Sequence, residues 1–197
     1  MSALVLATRN EHKRLEFARL LSGLEILALT DGVELPPEDG LTFAENALGK
    51  ARAAATATGA PSIADDSGIE AAALDGRPGV RSARYAGEQA TDEQNLALLL
   101  REAPAGSALE YVCALAYVDP VAGVERLFEG RCAGTLAAEP RGERGFGYDP
   151  AFLPDDRPGG RTMAELADVE KDEISHRGRA AKELLEWLKI GTAGSAS

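Results

Sequence analysis

In the stretch SIADDSGIE, residues 62–70, a short β-friendly run meets two adjacent acids, Asp65 and Asp66, then a hydroxyl and a glycine. Neighbouring carboxylates repel each other and resist burial. Two of them at the end of a buried strand therefore ask for something cationic to offset the repulsion. Such a pair can hold Mg2+ through oxygen ligands. It can also supply a general base, because one acid perturbs the pKa of the other. The plainer alternative is an aspartate closing a β-turn.

Four further polar clusters punctuate the chain. In TRNEHK (8–13), Thr8 and Asn10 can hydrogen-bond an anion beside a helix N-terminus, and Lys13 adds charge. No G-x-x-x-x-G-K-[ST] loop is present. In the second cluster Glu38 and Asp39 precede Asn46 and Lys50, which share a helix face at i, i+4. In GFGYD (145–149), Phe146 and Tyr148 offer flat apolar surface to a nucleobase, with Gly147 between them and Asp149 as an acceptor. In EKDEISHRG (170–178), Lys171, Ser175 and His176 accompany Arg177, whose fork of donors suits a keto oxygen or a phosphate. Each cluster also has an ordinary structural reading: a capped helix, a solvated turn, core aromatics, a structural histidine. Taken together they offer cations for a polyphosphate, carboxylates for Mg2+ and aromatic surface for a base. A nucleoside triphosphate is the simplest ligand with those three parts.

These residues must be positioned by an α/β scaffold. ALVLA (3–7) reads as a buried strand. The segment NEHKRLEFARLLSG reads as a helix with Leu15, Ala18 (or Arg19) and Leu21 (or Ser22) at helical spacing and Gly23 at its end. EILAL (25–29) is a second strand, and this β-α-β opening points to a partly parallel sheet. PPEDGLT (36–42) is a loop, and Thr42 with Glu45 forms a capping box for a helix ending at Gly59. SIAD is the next strand, ending at the acids, and residues 75–88 form a loop. Thr91 caps a helix over 91–103. The segments 109–119 and 124–134 read as an antiparallel hairpin, and 174–190 as the last helix. Residues 1–190 are expected as a single domain, with 191–197 a disordered tail.

Bulk properties narrow the function. The formal net charge of −11 on 197 residues argues against a long nucleic acid as partner. It leaves room for a small anion drawn into one cationic cleft. No apolar run approaches the roughly 18 residues that cross a bilayer, so no membrane partner is expected, and MSALVLATRN turns polar too early for a signal peptide. Cys113 and Cys132 lack metal-ligand spacing and read as buried thiols in a reducing, cytoplasmic compartment.

Six stretches, in this order, resemble the inosine triphosphate pyrophosphatase family: LATRNEHKRLE, EDGLTFAENALGKA, IADDSGIE, GRPGVRSARYAGE, GFGYDPAF and AEL…EKDEISHRGRA. They span residue 6 to about residue 180, nearly the whole chain. The resemblance implies an elongated α/β fold with a central mixed sheet flanked by helices and two lobes around a substrate cleft, usually as a homodimer. It implies Mg2+-dependent hydrolysis of ITP, dITP and XTP to the monophosphate and pyrophosphate, clearing deaminated purines from the nucleotide pool. Carried over by position, Asp66 is the catalytic carboxylate or a metal ligand and Glu38 a second metal ligand. Asp65 is a supporting ligand or structural partner, and either acid could be the base. Thr8, Asn10 and Lys13 match the phosphate side, Lys50 a lysine near the phosphates, and Ser67 a substrate contact. Phe146, Gly147, Tyr148 and Asp149 match the base-holding loop, while Lys171, His176 and Arg177 match contacts to the base and its keto group. The chain departs from the family at Arg9, where glycine is usual and allows positive φ; the charge of Arg9 suits a phosphate. Two alternatives stay open on the residues alone: a pyrophosphatase with another triphosphate specificity, and a non-catalytic nucleotide sensor.

Overall fold

A computed structural model describes residues 3–193, with side chains through 189. Six strands form one mixed sheet in the order β2-β1-β3-β4-β5-β6. They are β1 (Leu4–Leu6), β2 (Ile26–Ala28), β3 (Ser62–Ala71), β4 (Ala108–Asp119), β5 (Val124–Leu136) and β6 (Phe152–Pro154). Strand β1 runs parallel to both β2 and β3, while β5 and β6 are antiparallel. Residues 120–123 join β4 to β5, a link too short for a parallel crossover, so the expected antiparallel hairpin forms. The helices are α1 (Glu11–Leu20), α2 (Phe43–Thr58), α3 (Asp92–Glu102), α4 (Asp168–Ile174) and α5 (His176–Ala193). Among the described residues no helix is long and apolar enough to cross a membrane.

The chain groups into two compact units. One comprises the chain up to Asp66, Cys113–Gly130 and the chain from Arg177. Its core gathers Leu4, Leu6, Phe17, Leu21, Ile63, Leu115 and Leu184, with Trp187 edge-on to Tyr117 at a centroid separation of 5.1 Å. The other comprises Ser67–Val112 and Arg131–His176. Its core gathers Ile69, Leu96, Leu99, Tyr111, Leu136, Phe152 and Met163. Cys113 and Cys132 are both buried free thiols.

Local chemistry explains the helix starts. Thr42 Oγ1 accepts from the Glu45 amide at 3.2 Å, and the Glu45 carboxylate returns the bond to the Thr42 amide at 3.2 Å. Thr91 and Gln94 repeat the box at α3, and Gly59 closes α2 in the left-handed region at φ 67°.

Several elements differ from the sequence expectation. Strand β3 does not stop at the acids but runs ten residues to Ala71, so Asp65 and Asp66 lie mid-strand. Helix α1 faces the core with Phe17 (0% exposed) and Leu21, whereas Leu15 is 47% exposed. Of the expected apolar spacing Leu21 is buried and Leu15 is not, because the buried face of α1 carries a charge, Glu16, that has a cationic partner. Strand β6 and helix α4 were not foreseen, and the 75–88 loop contains a 3-10 turn over Gly79–Arg84. Helix α5 extends to Ala193, into the expected tail, and residues 194–197 of that tail lie outside the described residues.

Candidate active site

The first unit assembles a network of buried charge around β3. Consecutive side chains of a strand leave opposite faces, and the two acids find separate partners. Asp65 Oδ2 pairs with Lys13 Nζ of α1 at 2.9 Å and with Arg177 Nε of α5 at 3.4 Å. Arg177 in turn pairs with Glu16 Oε2 at 3.0 Å. Asp66 Oδ2 accepts from Asn46 Nδ2 of α2 at 2.8 Å. Lys50, one turn along α2, donates to the Asp65 carbonyl at 2.6 Å, pairs with Glu38, and stands 3.8 Å from Asp66 Oδ1. Gly40 is required in the loop before α2. Its amide donates to Asn46 Oδ1 at 2.8 Å, and a Cβ there would sit 2.6 Å from the same oxygen.

Electrostatics separate the adjacent acids. Burial pushes the Asp65 carboxyl up, but Lys13, Arg177 and Lys50 outweigh it and hold the group well below the usual carboxylate range. At Asp66 burial prevails over Lys50 and Lys13, and the Glu38 charge adds to it, so the pKa is raised. Glu38 itself is lowered: burial opposes ionisation, but Lys50 and then Lys13 overcome it. Lys50 loses basicity to burial and regains more from Asp65, Glu38 and Asp66, so it stays charged.

Glu38 and Asp66 converge on one ammonium and therefore on one point in space. Two carboxylates completed by water and phosphate oxygens suit Mg2+, which rarely takes an all-protein cage. No group of three or more His, Cys, Asp or Glu side chains among the described residues forms such a cage. Asp65, expected as a supporting ligand or structural partner, points its Oδ2 at two cations, the arrangement of a structural partner.

The N-terminal loop is also resolved. Thr8 Oγ1 accepts from the Asn10 amide at 3.2 Å, and Asn10 Oδ1 caps α1 at the Lys13 amide, 3.0 Å away. Arg9 turns its guanidinium to the carbonyls of Thr30 (3.3 Å) and Val33 (2.9 Å). Among the described non-glycine residues only Asp75 has positive φ, so the backbone at Arg9 needs no glycine. Arg177, expected at the keto group of a base, is buried on Glu16 and Asp65 instead.

The second unit builds a separate cluster around Asp149. Its Oδ2 accepts from Lys171 Nζ at 2.6 Å and from the Phe146 amide at 3.0 Å, and its Oδ1 accepts from Tyr111 Oη at 3.0 Å. Asp149, expected as an acceptor for substrate, thus organises its own loop. Phe146 stays half-buried, with Lys171 Nζ 5.4 Å from its ring centroid. Tyr148 does not offer a free face: its ring belongs to the core and its hydroxyl donates to the Ser82 carbonyl at 2.8 Å. Gly147 takes φ 64° and donates its amide to Asp92 Oδ2 at 2.8 Å. His176 is buried against Tyr111, rings nearly parallel at 4.6 Å. Ser67, next after Asp66 on β3, is half-buried.

Sequence reasoning grouped Asn46 with Lys50 but gave it no role, and it did not assign Glu16, Asp92 or Tyr111 to either cluster. Asn46 had a usable signal, its i, i+4 spacing from Lys50, and Glu16 stands at i+3 from Lys13. Tyr111 and Asp92 reach their partners only through the tertiary fold.

Comparison with known proteins identifies relatives along nearly the whole chain. The chain is 52% identical over 198 residues to a dITP/XTP pyrophosphatase of Frankia alni, covering 94% of this chain and 96% of that protein. It is 48% identical to a dITP/XTP pyrophosphatase of Mycolicibacterium paratuberculosis, covering 96% and 97%. Among solved structures, a HAM1 protein from Coxiella burnetii superposes with a TM-score of 0.85 at 41% identity, covering 96% of this chain and all of that one. The Staphylococcus aureus Ham1 protein gives 0.83 at 35% identity, with 96% of this chain covered. The Ham1 family model matches residues 4–187, and the chain belongs to the Ham1 family.

Proposed function

We propose that this protein hydrolyses non-canonical purine nucleoside triphosphates, ITP, dITP and XTP, to the monophosphate and pyrophosphate, as a cytoplasmic Mg2+-dependent homodimer that clears deaminated purines. The observation that carries the chemistry is the pair of adjacent acids whose environments drive their proton affinities apart. Such a split assigns roles. Asp65 is held ionised by Lys13 and Arg177. Asp66, with its pKa raised, is the better proton acceptor for a water attacking the α-phosphorus in line. The names of the relatives support the substrate class.

Glu38 and Asp66 are the residues that would hold Mg2+, which when bound supplies charge neutralisation at the phosphate oxygens. Lys50 and Lys13 place positive charge beside those carboxylates. The Phe146 ring takes the base by stacking. Lys171, whose ammonium stands 5.4 Å from the centroid of that ring, is a donor that suits a 6-keto purine better than the amino group of adenine.

A substrate panel tests the reading. With Mg2+ present, dITP and XTP should release pyrophosphate about 100-fold faster, by kcat/KM, than dATP or dGTP, a margin within reach of hydrogen-bond discrimination. No pyrophosphate from any purine triphosphate would overturn hydrolysis, and equal rates would overturn the selectivity.

A further inference from the structure

Tyr111 lies on β4 in the second unit, and its side chain touches Asp149 and His176, two residues that the resemblance places with the base. Its hydroxyl donates to Asp149 Oδ1 at 3.0 Å. The other oxygen of that carboxylate is committed to Lys171 Nζ at 2.6 Å and to the Phe146 amide at 3.0 Å. The aspartate therefore acts as a bridge with one end fixed by Tyr111 and the other aimed at the aromatic loop and its lysine. Little slack exists at that end, since a Cβ at Gly145 would collide with Asp149 Oδ2 itself. The ring of Tyr111 meanwhile stacks on His176 with centroids 4.6 Å apart and planes 7° apart, and packs against Phe152 on its other contact at 4.6 Å.

We infer that Tyr111 is a positioning residue for base recognition: through Asp149 it sets where Lys171 and the Phe146 ring stand, and through its ring it sets the plane of His176. The inference rests on the proposed function. A carboxylate bound at one oxygen only can rotate about its terminal torsion, which is broad and roughly two-fold. Loss of the tyrosine hydroxyl would release that torsion and blur the lysine and the loop together. Its contacts are with Asp149, His176 and Phe152, so its effect should fall on binding of the base and spare the chemical step.

Tyr111→Phe isolates the hydroxyl while keeping both ring contacts. In the intact protein it should raise KM for dITP about tenfold, the size of one hydrogen bond to a charged group. The kcat should stay within about twofold, and the inhibition constant of inorganic tripolyphosphate, which has no base, should not move. In a double-mutant cycle, Tyr111→Phe added to Asp149→Asn should cost much less than it does alone, because the two act through one bridge. An unchanged KM for dITP, or equal weakening of dITP and tripolyphosphate, overturns the inference. If Tyr111→Phe does not fold, Asp149→Asn carries the same readout, and an unchanged KM there overturns it equally. Wild-type protein that releases no pyrophosphate from dITP refutes the proposed function instead, a result distinct from a wild type that turns over dITP beside a variant with unaltered KM.

Discussion

Replacing each of the adjacent acids by its amide should have opposite effects on stability and on catalysis. Asp65 is fully buried, and its carboxylate is the partner of Lys13 at 2.9 Å and Arg177 at 3.4 Å. Asp65→Asn leaves those cations buried with a neutral acceptor. Removing one partner of a buried pair costs about 3–5 kcal/mol. Arg177 keeps Glu16 at 3.0 Å, so the lower end applies, about 3 kcal/mol. For a chain of this length each kcal/mol moves Tm by about 2–4 °C, so Tm should fall by about 6–12 °C. The sign with pH is definite. The folded pKa of Asp65 lies below the unfolded value of about 3.9, so its contribution is complete above that value and vanishes only as pH falls through the lower folded one. A melt at pH 7 therefore reads all of it. Asp66 behaves oppositely, because its folded pKa is raised by burial. Its ionised form is a burden above that pKa, and Asp66→Asn should leave Tm level or higher while turnover falls by a factor of about 100 to 10,000, the share of a general base. The assay is a thermal melt at pH 7 beside pyrophosphate release from dITP. A stable Asp65→Asn, or an Asp66→Asn that retains near-normal kcat, would refute the division of roles.

Other perturbations follow from the same contacts. Lys50→Met removes the largest cationic influence on Asp66, so that pKa rises further; the acid limb of the kcat/KM profile should move to higher pH, with a loss of at least tenfold at neutrality. Gly40→Ala pushes a methyl toward Asn46 Oδ1, and through Asn46 it should disturb Asp66 and cut kcat/KM by about tenfold, whereas an unchanged value would detach Asn46 from the site. Thr42→Ala removes one half of the α2 capping box and should cost about 1 kcal/mol, read as a Tm loss of about 2–4 °C. Chelation of divalent cations should stop pyrophosphate release yet leave Tm unchanged, since Glu38 and Asp66 already share Lys50 in the protein alone.

What the sequence revealed follows the range of the interactions concerned. The boxes at Thr42 and Thr91 and the stop at Gly59 are local, and each stands where the residues predict. The course of β3 through two acids is not local. It depends on Lys13 and Arg177, the latter 112 positions along the chain from Asp65. Without those cations, Ser67 and Gly68 after two aspartates read as a turn. The burial of Glu16 needs Arg177 as well, 161 positions away, so helical spacing of apolar residues alone does not show that Glu16 is buried and Leu15 exposed. Tyr148 and Phe146 share one glycine-spaced motif, yet only the fold shows that the tyrosine belongs to the core and the phenylalanine stays half-buried.

The mid-strand position of the acids also sets what insertions the chain can tolerate. Because side chains of a strand alternate, the separation of anchor from base depends on parity. Loss of one residue from the Ser62–Ala64 segment, with the sheet register kept from β1, would exchange the two faces: the second aspartate would meet Lys13 and Arg177, the first would lie on the Asn46 face short of its partner, and Ser67 would meet Asn46 and Lys50. Loss of two would return each acid to its own face, about 7 Å along the strand from its present partners. Length changes in the loops before α2 or between β4 and β5 carry no such parity. The reading frame of this one strand, counted modulo two from its pairing with β1, is therefore part of the catalytic specification.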